Sequence, residues 1–135
     1  ISGEFVGTYL WHNNNAENYD RLWAQDILKY KWRNKRGAVT GKIKAVPSPF
    51  ESITGHYNYY HKLNSEGYVV ENPDAIEPAD ENSHTIFRYS ENNLSAGTLY
   101  RGDNYSTCIL GFPIESITDN DKINTLIKAI TESMQ

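Results

Sequence analysis

A single cysteine, Cys108, stands in a chain of 135 residues, so no internal disulfide can form. That scarcity says little about compartment, because many secreted bacterial proteins also lack cystines. Long apolar runs are missing too: none approaches the roughly 18 residues that span a bilayer, and no signal-peptide pattern is visible. No membrane span is expected. Positive charge is scarce, with 13 Lys and Arg against 17 Asp and Glu and a net charge of −4. The only basic cluster, Lys29, Lys31, Arg33, Lys35 and Arg36, is short and is expected to close a helix, so nucleic acid is not an expected partner. An initiator Met is absent as well. The chain begins at Ile1, which reads as a processed or excised piece whose targeting signals would lie outside it.

What is present suffices for a packed core: 39% apolar residues, with three Trp, ten Tyr and four Phe. The length fits residues 1–135 as one α/β domain, or as a domain fragment truncated at its N-terminal side. "GEFVGTYLW" reads as a short strand or a strand-to-loop elbow, and "HNNN" as a turn that supplies Asn15 as a helix cap. From Ala16 to about Trp32, Tyr19, Leu22, Trp23, Ile27 and Tyr30 recur at helical spacing, with Gly37 placed as a stop. "AVTGKIKAV" reads as a strand ended by Pro47 and Pro49. The middle is broken by Asn, Asp, Gly and Pro into an irregular excursion. "HTIFRYS", "AGTLY" and "YSTCILGF" read as strands, with a hairpin turn at Arg101–Asn104. The closing helix is expected to start from a Thr118 cap with Asp121 completing a capping box, and to bury Ile123, Leu126, Ile127, Ile130 and Met134.

Several constellations bear on function. In "YSTCILGFPIESI" a strand carrying Cys108 runs into a turn carrying Glu115, the kind of strand end where α/β sheets place their chemistry. A Cys inside an apolar strand behaves as a small hydrophobe with a raised pKa. Glu115 reads first as a carboxylate bonding backbone amides near the closing helix, and second as a ligand-binding group. His56 and His61 frame "HYNYYH", but a spacing of five puts both imidazoles on one face of neither strand nor helix, so no metal is expected. The same aromatic and amide density, with Trp11, His12, Tyr59 and Asn13 to Asn15, would suit sugar recognition, where rings stack and amides bond hydroxyls. Asp74, Glu77, Asp80 and Glu81 read as a solvated acidic loop rather than a calcium site. The "RGD" at 101–103 is ordinary hairpin chemistry, and Ser2 has no visible hydrolase partners.

Taken as a set, "SGEFVGTYLW", the "YKWR" segment, "SAG" and "GFPIESI" resemble the C-terminal domain of large secreted Bacteroidetes proteins described as xanthan lyase-like or amidase-like. The resemblance covers most of the chain. It implies a class I glutamine amidotransferase-like fold, a flavodoxin-like three-layer sheet, here the C-terminal part of a larger domain. In active members of that fold a Cys sits on a G-x-C-x-G elbow and a later strand ends in Q-F-H-P-E. Laid over the second motif, Glu115 matches its Glu while Pro113 replaces its His; the first elbow offers Ser2, Gly3 and Glu4 but no Cys. A thiolate nucleophile needs a neighbouring imidazole, and proline supplies no titratable group. The resemblance therefore implies a secreted, periplasmic or cell-surface location, no cofactor, and other domains of the parent protein as partners, with glycan as the ligand class. Three readings follow: a non-catalytic accessory domain of a protein acting on polysaccharide or cell wall; a glycan- or peptidoglycan-degrading hydrolase or lyase completed by preceding chain; and a carbohydrate-binding module.

Overall fold

The structure, a computed structural model, describes residues 1–11 and 18–135. His12 and Asn13 to Asn15, with the turn, cap and sugar contacts expected of them, lie outside the described residues. Helix α1 (Val6–Trp11) is followed by α2 (Asn18–Trp23), which runs into a π-turn at Ala24–Leu28. Seven strands follow: β1 (Tyr30–Asn34), β2 (Lys42–Ala45), β3 (His56–Asn58), β4 (Ala75–Pro78), β5 (Ser83–Tyr89), β6 (Ser95–Arg101) and β7 (Ser106–Leu110). A 3-10 turn at Ile114–Ser116 leads to α3 (Asn120–Ser133).

The class is mixed helix and sheet. The main sheet has the order β3-β2-β5-β6-β7 and is antiparallel at every step. Short connections dictate this for β5–β6 and β6–β7, since the turns after Tyr89 and Arg101 are long enough only for hairpins. Parallel pairing occurs at one place among the described residues, where Ile1 to Gly3 run beside β7. The Leu110 amide donates to Ile1 O at 2.8 Å and the Gly3 amide to Leu110 O at 3.3 Å. Strands β1 and β4 form a separate antiparallel pair.

The expected helix from Ala16 to Trp32 is shorter than its spacing suggests. Lys29 enters the left-handed region at φ 65° while its amide closes the π-turn on Ala24 O. Tyr30 and Trp32 therefore belong to β1, where burial alternates residue by residue. Tyr30 fits both periods, so spacing could not choose between them. Gly37 is no helix stop; its amide donates to Pro73 O at 2.6 Å. At α3 the cap is Asp119 rather than Thr118, its carboxylate accepting from the amides of Asp121 and Lys122.

Apolar residues pack against one face of the sheet, and against the other face where β7 lies. One face packs Tyr57, Phe87, Tyr89, Leu99, Cys108 and Leu110 against Leu126 and Ala129 of α3. The other packs Ile109 with Ala24, Leu28, Tyr30 and Ile76 beneath Val6, Leu10 and Trp11. Consecutive residues Cys108 and Ile109 thus face opposite layers, as strand geometry requires.

Glu91 ties the turn before β2 to the β5–β6 hairpin. Its carboxylate accepts from the Val39 amide at 2.7 Å, the Thr40 amide at 2.9 Å and the Thr40 hydroxyl at 3.0 Å. Partial burial pulls its pKa up, but those donors prevail and hold it below 4.5. A depressed carboxylate stabilises the fold above its unfolded pKa and loses that contribution as pH falls through the folded one. Urea unfolding should accordingly show Glu91→Gln less stable than the native chain at neutral pH, with the gap closing at acid pH.

Candidate functional site

The candidate site is the corner where Ile1–Gly3 leave the edge of β7. The segment Gly3-Glu4-Phe5-Val6-Gly7 turns sharply into α1, and Phe5 sits at φ 61° in the left-handed region. That conformation costs a bulky side chain about 1–2 kcal/mol, so the surroundings must enforce it. Three neighbours do so. The Phe5 carbonyl accepts from the Tyr9 amide at 2.8 Å, closing the first turn of α1. Glu4 accepts from the Tyr68 hydroxyl and from the amides of Glu71 and Asn72, pinning the 68–72 segment over the elbow.

The third neighbour is Asp74, expected from sequence to be solvated and found fully buried. Its Oδ2 accepts from the Gly7 amide at 2.7 Å and the Thr8 amide at 2.9 Å, and its Oδ1 from the Thr8 hydroxyl at 2.6 Å. A side chain 66 residues away in sequence thus caps α1 in place of a local N-cap. The Trp32 indole extends the network by donating to Thr8 Oγ1 at 3.2 Å. Burial raises the Asp74 pKa above 3.8, and the donors of Thr8, Gly7 and Trp32 oppose that rise without cancelling it. Two other members of the expected acidic loop are paired near the surface: Glu77 with Arg33 at 2.8 Å and Asp80 with Lys29 at 3.3 Å.

The end of β7 closes the corner from the other side. Gly111 donates its amide to Ala96 O at 2.9 Å and accepts from the Asp74 amide at 2.7 Å, while the Tyr89 hydroxyl donates to Asp74 O at 2.7 Å. Phe112 is buried and stacked on Tyr59 with centroids 5.7 Å apart. Pro113 is buried, and the Ile114 amide donates to Ser2 Oγ at 3.3 Å. Glu115 is exposed, and no side-chain hydrogen bond to it is recorded among the described residues. The amide-bonding role first read for it falls to Asp119 at the start of α3. Glu115 instead stands near Tyr68, whose phenol is pushed up to about 12 by its hydrogen bond to Glu4, by desolvation, and by the charges of Glu4, Glu115 and Glu71.

These groups do not assemble a nucleophile. Cys108 is 8% exposed and points into the layer beneath α3, and burial pushes its thiol up to about 12. A thiol reagent at pH 8 should leave the native chain unmodified and react at the diluted-thiol rate only in denaturant; rapid native labelling would contradict this placement.

The remaining sequence candidates are dispersed. Tyr59 is 2% exposed, with a buried hydroxyl lacking a partner among the described residues, so its ring offers no face to a sugar. Trp11 is half-buried against the second core cluster. His56 is exposed on β3, in register with Lys44 of β2. His61 lies beyond β3 beside Gly41. Among the described residues no group of three His, Cys, Asp or Glu could hold a metal ion. Sequence reasoning singled out Asp74 only as a loop carboxylate; the one signal of its buried role was its position between Pro73 and the apolar pair Ala75-Ile76.

Comparison of the chain with protein-family models, with curated proteins and with solved structures finds no match in any of the three.

Proposed function

We propose that this chain is a non-catalytic accessory domain, a degenerate glutamine amidotransferase-like α/β unit, in a secreted or cell-surface protein that acts on polysaccharide or cell wall. One observation carries the reading. Phe5 occupies the central position of Gly3-Glu4-Phe5-Val6-Gly7, at φ 61°, on an elbow leading from the β7 edge into a helix. The resemblance lays its nucleophile elbow over this stretch, which offers Ser2, Gly3 and Glu4 but no Cys, and Pro113 stands where it assigns the imidazole. The elbow's backbone geometry supports descent from such a corner; its side chains support loss of the chemistry. Phenylalanine and proline can neither attack nor transfer a proton. Glu4 is committed to three donors, which leaves Glu115, among the described residues, as the carboxylate of the corner with no donor.

The test is an activity panel of glutamine, amide and oligosaccharide substrates, run with the native chain and with Glu115→Gln. No turnover is expected from either. Turnover that Glu115→Gln abolishes would overturn the proposal in favour of an enzyme.

A further inference from the structure

Away from the elbow, the outward side of the main sheet carries an arrangement that folding alone does not explain. His56, Lys44, Arg88 and Ser95 stand in register across β3, β2, β5 and β6. Residues opposite one another on adjacent strands share a face, so Lys44 and Arg88 lie side by side while Ile43 and Tyr89 turn into the core. Like charges placed directly opposite are destabilising. In a chain of net charge −4 a compensating carboxylate would be easy to supply, yet among the described residues no Asp or Glu lines the groove these two cations share. That groove measures about 650 Å³, within the range of a small-ligand site. His84, Thr85 and Asn93 contribute polar atoms to it, and Pro47 and Pro78 flank it. Arg88 is held in place because its Nη1 donates to Asn93 O at 2.9 Å, which leaves the rest of its planar fork for a ligand. Thr85 Oγ1 donates to Ser95 Oγ at 3.1 Å and can still accept from a hydroxyl.

We propose that this groove binds a carboxylate-bearing sugar of a glycan chain, with the carboxylate lying across Lys44 and Arg88. A guanidinium matches a planar carboxylate with two parallel hydrogen bonds, and an adjacent ammonium adds a point charge. Among the described residues no Trp, Tyr or Phe lines the groove, so a nucleobase would find no stacking platform there. The oxyanion follows from the groove itself, whereas the sugar rests on the polysaccharide reading above.

Amide NMR spectra of the whole chain, titrated separately with trigalacturonate, neutral maltotriose and sodium sulfate, test both parts. Trigalacturonate should shift the amides of β2 and β5 around Lys44 and Arg88. Lys44→Gln and Arg88→Gln should each weaken it by about tenfold or more. Both variants should melt at the native temperature or above, since each relieves a like-charge pair. Absence of shifts in β2 and β5 with trigalacturonate and sulfate alike would overturn the groove as a site. Shifts with sulfate but none with trigalacturonate would overturn the sugar and count against the polysaccharide reading. Equal shifts with maltotriose, unaffected by Arg88→Gln, would overturn the role of charge while leaving that reading standing.

Discussion

Replacing Asp74 by alanine is expected to destabilise the chain by about 3–5 kcal/mol, because it strands three donors at once in a buried place. The amides of Gly7 and Thr8 and the Thr8 hydroxyl all end on this carboxylate. The first turn of α1 would lose its cap, and with it the constraint that holds Phe5 in the left-handed region. Asp74→Asn should cost less, about 1–3 kcal/mol, since one amide oxygen can still accept from both backbone amides. The pH dependence has a definite sign. Burial raises this carboxyl above 3.8, so below that value it is neutral in both states and no ionisation penalty exists. As pH rises, the unfolded chain ionises first, and stability from this group declines until the folded pKa is passed. The deficit of Asp74→Asn relative to the native chain should therefore be larger near pH 3 than near pH 7 in chemical denaturation, and the reverse order would contradict the assignment.

The second large effect is expected at Gly111. A Cβ there would overlap the Asp74 carbonyl oxygen, with the Asp74 carbonyl carbon at 2.9 Å and the Tyr89 hydroxyl at 3.2 Å. The obstructing atoms are backbone, fixed by the Asp74 to Gly111 and Tyr89 to Asp74 hydrogen bonds. No rotamer change can relieve the overlap, so Gly111→Ala should cost about 3 kcal/mol or more and show as a fall in melting temperature of over 10 °C. Gly55 is the control. Its φ is positive, 96°, and its Cβ would meet nothing closer than 3.8 Å. Gly55→Ala should lose only the smaller backbone strain of that conformation.

What the sequence reveals of this architecture follows the range of the interactions concerned. Strands β5, β6 and β7 are legible because their apolar patterns are bounded by turn residues, and α3 because its stripe of Leu126, Ile130 and Met134 keeps helical period over fourteen residues. Strand β1 is hidden, since Tyr30 satisfies helix and strand spacing equally and the decision rests on Lys29 adopting φ 65°. Asp74 is hidden for a different reason. Its neighbours Glu77, Asp80 and Glu81 are surface carboxylates, and only the return of α1 to within hydrogen-bonding reach makes this one a buried cap. The antiparallel order of β5, β6 and β7 is implicit in two short hairpins, whereas the resemblance to a flavodoxin-like sheet carries no signal of it. The elbow itself is visible as Gly3-Glu4-Phe5-Val6-Gly7, though its meaning turns on a φ angle that no spacing supplies. Lys44 and Arg88 each read as ordinary outward residues of an alternating strand; that they face one another depends on register, which is fixed by Ile43 and Tyr89 entering the core together.

On the function proposed above, the corner of Glu4, Phe5, Asp74 and Gly111 is a closed structural joint rather than a working site. Native-state hydrogen exchange at the amides of Gly7, Thr8 and Asp74 tests it most directly, because a catalytic corner must open to admit substrate while a joint need not. All three amides should exchange only through global unfolding, with free energies equal to that of the whole chain and with the same denaturant dependence. Exchange of Gly7 and Thr8 through a local opening, at a small fraction of the global free energy while β6 and β7 stay protected, would contradict the claim and return the corner to the list of possible active sites.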